Sequence, residues 1–160
     1  MIILAIDPGY ERLGIAILEK ASGQESLIYS SCFKTKATEQ AEERLRLIGE
    51  EISTLIKKYQ PTALAIETLF FKNNAKTAMR VSEARGVLLY EAAKNGLTVT
   101  EFTPLQIKVA VTGYGRSEKD QVTTMVKKLI KINKTIQYDD EFDAIAVGLT
   151  YFAHKHSDQH

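Results

Sequence analysis

The sequence predicts an α/β domain with a five-stranded mixed sheet flanked by helices. Three observations carry this. Ile2–Ile6 is an unbroken apolar run, as expected of a central strand buried on both faces. Two further strand-like runs follow it after breaks short enough for hairpins. Beyond them, helical and strand patterns alternate, which adds further strands and covers the sheet with helices.

The elements follow in order. Leu13–Leu18 and Ser26–Phe33 read as the second and third strands, separated by a turn around Ser22–Gly23. A helix is expected from about Glu39 to Tyr59, capped by Thr38, with Leu45, Ile48, Ile52, Leu55, Ile56 and Tyr59 on one face and Pro61 just past its end. Ala63–Ile66 is a short apolar strand ending at Glu67. The second helix spans Ala75 to Lys94 and stops at Asn95–Gly96; Thr98–Phe102 is the fifth strand. Thr103-Pro104-Leu105-Gln106 has the residues of a capping box with proline at the first helical position. Another helix starts after Ser117, with Val122, Met125, Val126, Leu129 and Ile130 on its apolar face. The last starts near Asp139–Asp140 and carries Ala144, Val147, Gly148 and Tyr151. This order is shared by ribonuclease H-like domains and by the halves of actin-like ATPases, so topology alone selects no chemistry.

Composition narrows the class. With 44% hydrophobic and 26% charged residues, the chain is globular rather than disordered. The opening apolar run is too short for a signal peptide's core, and no run approaches the ~20 residues that span a bilayer, so a cytoplasmic location and no membrane partner are expected. Cys32 is the only cysteine, which excludes an internal disulfide; it is expected to be buried and inert. The net charge of +1 hides local bias: Leu105–Lys134 holds seven basic residues against Glu118 and Asp120, the pattern of a segment that could face phosphates.

The acids are more informative. Asp7 closes the first strand before Pro8–Gly9, and Glu67 closes the fourth. Strand ends of an open sheet project into the crevice where ligands bind. Asp140 and Asp143 are three residues apart, so they share a helix face. If that helix crosses the sheet, four carboxylates converge. Such a cluster repels itself unless cations intervene, and two magnesium ions suit hard oxygen ligands and phosphodiester hydrolysis. Read singly, each acid has a plainer explanation: a turn former at Asp7, a solvated strand end at Glu67, a helix cap at Asp140 with Asp139 as its rival.

A run of short motifs also resembles a known family. Ile6-Asp7-Pro8-Gly9 with Gly14, Ala65-Ile66-Glu67, Ala84-Arg85-Gly86, Gln106-x-Lys108, Gly113-x-Gly115, Glu118-Lys119-x-Gln121-Val122 and Asp140-x-x-Asp143-Ala144 together are similar to the RuvC-type Holliday junction resolvases. The resemblance covers Met1 to about Ala153, with residues 154–160 as a polar tail. It implies a ribonuclease H-like fold, a homodimer, two magnesium ions per subunit (manganese able to substitute) and symmetrical cutting of four-way junction DNA in recombination and repair. It also implies a junction-binding protein and a branch-migration motor as partners. Asp7, Glu67, Asp140 and Asp143 match the family's catalytic, metal-binding acids. Lys108 and Lys119 match basic residues beside the scissile phosphate, Lys119 among the catalytic set, and Phe70 matches an aromatic that stacks on junction bases. Lys72 is displaced by one position from the family's pattern, and a DNA contact by Lys72 or Arg85 stays open. Two alternatives stand beside this reading: an RNA-processing nuclease of the same fold, and a non-catalytic DNA-binding protein.

Overall fold

A computed structural model describes residues 1–68 and 75–157. The strands are β1 (Ile2–Asp7), β2 (Arg12–Ala21), β3 (Gln24–Lys34), β4 (Ala63–Glu67) and β5 (Thr98–Phe102). The helices are α1 (Ala41–Tyr59), α2 (Ala75–Lys94), α3 (Pro104–Thr112), α4 (Lys119–Leu129) and α5 (Asp139–Ser157). They form one five-stranded sheet in the order β3-β2-β1-β4-β5. β1 pairs antiparallel with β2 and parallel with β4; β2–β3 is antiparallel and β4–β5 parallel. The mixed sheet is as expected.

Strand alternation sends odd-numbered residues of β1 to one face and even-numbered residues to the other. Ile3 and Ala5 pack with Ala63 and Ala65 beneath α3, α4 and α5, whereas Leu4, Ile6, Leu64 and Ile66 pack beneath α1 and α2. Asp7 and Glu67 continue the odd series, so both belong to the α5 face. That face is paved with small residues. A methyl group on Gly148 of α5 would lie 2.4 Å from Leu18 Cδ1 and 3.2 Å from Ala5 Cβ, so glycine there lets the helix settle onto β1 and β2.

Several boundaries differ from the sequence reading. α1 begins at Ala41 after Gln40, whose side chain makes no capping bond, so Thr38 is not its cap. α4 begins after Glu118, which forms a capping box with Gln121. Leu129 is 49% exposed, since α4 ends there and the chain turns Ile130 inward instead. α5 starts at Asp139 itself, so neither Asp139 nor Asp140 sits before its first turn as a cap, and it continues through Ser157. The capping box at Thr103 and Gln106 is present with Pro104 as anticipated. Ser22 and Gly23 both have positive φ, which a tight turn between twisted strands requires.

Candidate nuclease site

β1 and β4 are adjacent and parallel, with Ile6 opposite Ile66, so Asp7 and Glu67 emerge side by side at the same sheet edge. α5 delivers its first turn to that edge because β2 allows it. A methyl on Gly14, which pairs with Asp7, would lie 2.0 Å from the Asp140 carbonyl oxygen and 3.2 Å from Asp7 Cβ. The helix backbone therefore rests against the Gly14 backbone, and Asp140 and Asp143 join the strand-end acids.

The electrostatics record the crowding. Burial, then the charges of Glu67, Asp143 and Asp140, and a hydrogen bond to Glu67 hold the Asp7 carboxyl well above the usual aspartate range. Burial and Asp143 raise Glu67, against the opposing pull of the Asp7 hydrogen bond, Lys119 and Lys108. Burial also raises Asp143, although Lys119 opposes it. Lys119 Nζ lies 2.9 Å from Asp143 and 3.6 Å from Asp139. Burial alone would lower the lysine; the bond to Asp143 and the charges of Asp143, Asp139 and Asp140 raise it. The hydrogen bond between Asp7 and Glu67 and the Lys119 ammonium thus ease repulsion among these acids.

Among the described residues, no three His, Cys, Asp or Glu side chains stand at a spacing that already encloses an ion. The donor chemistry nonetheless fits a hard divalent cation: converging carboxylates, half-buried, with raised proton affinity where positive charge is wanted.

Two hollows flank the acids. Glu67, Asp143, Lys108, Lys119, Ile107 and Val122 line one of about 200 Å³, which brings both predicted lysines beside two predicted acids. On the other side of Asp140 an open groove of about 690 Å³ is lined by Tyr10, Arg12, Arg44 and Arg80, among others. Arg12 Nε lies 3.7 Å from Asp140 Oδ2. Arg44 is only 5% exposed; it stacks 3.7 Å from the Tyr10 ring centroid, and its Nε donates to Thr35 Oγ1 at 2.8 Å. It thereby braces the turn after Asp7. Sequence reasoning missed Arg12 and Arg44. Arg44 falls in the polar part of an amphipathic pattern, and nothing local marks it as buried.

Two further residues named from the sequence have partners of their own. Arg85 pairs with Glu101 at 2.6 Å, tying α2 to β5. Cys32 is half-buried rather than buried, with Sγ 3.8 Å from Asp140 Oδ2. Burial and Asp140 push its thiol up to about 11, which keeps it a poor nucleophile. Phe70 and Lys72 lie outside the described residues.

The family model for crossover junction endodeoxyribonuclease RuvC matches residues 3–151. The chain belongs to the RuvC family. A crossover junction endodeoxyribonuclease RuvC from Thermosipho melanesiensis is 47% identical over 148 residues, covering 92% of this chain and 94% of the relative. One from Petrotoga mobilis is 44% identical over 154 residues, covering 96% and 93%. The solved structure of Thermus thermophilus RuvC in complex with Holliday junction substrate superposes with a TM-score of 0.92 at 28% identity, covering 99% of this chain and 96% of that one. The architecture is therefore that of RuvC, and with it the ribonuclease H-like resolvase fold. No helix among the described residues is long and apolar enough to cross a membrane.

Proposed function

We propose that this protein resolves four-way DNA junctions by divalent-metal-dependent hydrolysis, with Asp7, Glu67, Asp140 and Asp143 as metal ligands. The observation that carries the reading is the gathering of these four acids at one sheet edge in a RuvC-family chain, with Lys108 and Lys119 beside them. Bound magnesium, two ions per subunit with manganese as a substitute, would supply activation of water and neutralisation of charge on the phosphate.

The protein's own groups do the rest. Asp7 and Glu67 would hold the metal side by side at the strand ends, where their raised proton affinity marks a place that favours positive charge. Asp143 would also hold the metal, and the Lys119 ammonium, 2.9 Å from it, would neutralise charge developing on the leaving oxygen. Lys108 holds the phosphate from the same hollow. Water oxygen bonds to phosphorus and the P–O3′ bond breaks, leaving a 5′-phosphate and a 3′-hydroxyl.

Cutting both strands symmetrically calls for a two-fold dimer with two equivalent sites. α2 offers support for one. Met79 and Tyr90 are 65% and 64% exposed, and Gly86 lies between them on the same face, where an added methyl would have nothing within 4 Å.

The test is incubation with a synthetic immobile four-way junction and a matched linear duplex, with and without magnesium. Paired nicks confined to the junction and dependent on magnesium are expected. Equal cutting of both substrates would remove the junction specificity, and faster cutting of a matched RNA added as a third substrate would point instead to an RNA-processing nuclease.

A second expectation concerns Phe70, which rests on the family resemblance. Opening a crossover removes base stacking, and an aromatic side chain restores ~1–3 kcal/mol per base. Phe70→Ala should slow cleavage of an intact junction by about ten- to a hundredfold, at a factor of ten per ~1.4 kcal/mol. Much less should be lost on a junction already unpaired at its centre. Equal losses on both substrates would remove the stacking role.

A further inference from the structure

We propose that Lys134 is a positioning residue, which with Glu141 and Ser30 locks the first turn of α5, and so Asp140 and Asp143, against the sheet. The geometry is specific. Lys134 Nζ lies 2.5 Å from Glu141 Oε2 and donates to the Ser30 carbonyl oxygen at 2.6 Å. Ser30 Oγ donates to the same Glu141 oxygen at 2.9 Å. Glu141 is 6% exposed and Ser30 5%, whereas the Lys134 side chain is 42% exposed, so the ammonium closes a buried polar contact from the surface.

The location gives the lock its consequence. Glu141 stands between Asp140 and Asp143 on α5. Ser30 and Cys32 are two apart on β3, hence on one face, and they meet successive residues of the helix: Ser30 holds Glu141, and Cys32 touches Asp140. The turn carries Asp139, Asp140, Glu141 and Asp143, and a cation from elsewhere in the fold answers each of them. Lys119 takes Asp139 and Asp143, Arg12 takes Asp140, and Lys134 takes Glu141. Glu141 is the acid of this turn that bonds Ser30 and Lys134 and is not one of the four gathered at the sheet edge, so Lys134 anchors the turn without occupying the site. Without the ammonium the buried carboxylate keeps only the Ser30 hydroxyl and loses its counter-charge. It gains hydration by swinging outward, and that rotates the turn bearing Asp140.

The meaning of those acids rests on the proposed function, so the test includes a measurement that needs neither metal nor DNA. Lys134→Met keeps the apolar stem and removes the charge; Ser30→Ala is a milder variant should the first fold poorly; Lys134→Arg restores the charge. Amide hydrogen exchange of residues 139–143 is expected to quicken in Lys134→Met and Ser30→Ala and to recover in Lys134→Arg. Magnesium titrated calorimetrically into the DNA-free protein should bind about tenfold more weakly in Lys134→Met, in line with the loss of groups that orient metal ligands. Half-maximal cleavage should need correspondingly more magnesium, while the rate at saturating metal stays within about threefold. Unchanged exchange in this turn overturns the lock. A lowered melting temperature with unchanged magnesium affinity and half-saturation reduces the lock to fold stability and overturns the positioning role. A parent protein that neither binds magnesium nor cuts junctions sinks the proposed function, and the exchange data still decide the lock.

Discussion

Asp7→Asn is expected to lower junction cleavage by about a thousandfold or more, the factor that ~4 kcal/mol of lost transition-state stabilisation produces. Asp7 is the carboxylate on which the others bear: Glu67, Asp143 and Asp140 all raise its proton affinity. An amide there keeps the shape and removes the charge that holds a cation. Junction binding should persist, because the basic groups proposed to contact phosphates are unaltered. The same substitution should change stability with a definite sign. The folded protein holds the Asp7 proton more tightly than the unfolded chain does. The stability from this group is therefore complete below the ordinary aspartate range and is lost as pH rises through the raised folded value. Metal-free parent protein should thus melt lower as pH rises over that interval. Asp7→Asn should escape this fall and melt a few degrees higher at alkaline pH, at about 2–4 °C per kcal/mol for a chain of this size. Thermal melts in chelator and in magnesium, together with junction cleavage and gel-shift binding, make the comparison. A variant that cuts at near-parental rate in saturating magnesium would remove Asp7 from the metal site.

Much of this site could be read before any coordinates. Ile2–Ile6 and Ala63–Ile66 announce buried strands by unbroken apolarity, and an acid at the end of such a strand is conspicuous. Asp140 and Asp143 show their common face by spacing alone. What sequence could not supply is what each charge meets across the fold. Lys119 bridges Asp139 and Asp143, and Lys134 reaches Ser30, 104 positions away in the chain. Arg44 sits where an amphipathic pattern expects a solvated side chain, yet it is buried because Tyr10 and Thr35 offer it a ring and a hydroxyl. Helix starts are hard to read for a related reason. Thr38 has capping chemistry, but α1 begins only at Ala41, after Gln40, and the Lys36 amide donates to Glu39 instead.

Gly14→Ala is expected to lower cleavage by about a hundredfold, because a misplacement of ~1 Å at a reacting centre costs that much. Gly14 appears in the motif series as a small residue, and its reason is steric. Its φ is not among the positive ones, so backbone strain is not at issue. The added methyl would meet the Asp140 carbonyl oxygen at 2.0 Å, and that atom is backbone with no rotamer to yield. Either the first turn of α5 lifts off β2 or the strand retreats, and both part Asp140 and Asp143 from Asp7 and Glu67. Overpacking also lowers stability by ~1–3 kcal/mol, so a rate loss alone would not distinguish geometry from partial unfolding. Gly148→Ala supplies the contrast. Its methyl would meet Leu18 Cδ1 at 2.4 Å, the end of a flexible side chain, two turns farther along the same helix. That variant should lose melting temperature with little loss of rate, when both are assayed in saturating magnesium well below their own melting points. Rate losses that simply track the two melting temperatures would show that Gly14 serves general packing. A hundredfold loss confined to Gly14→Ala would show that the acids are held in place by a backbone contact that only glycine permits.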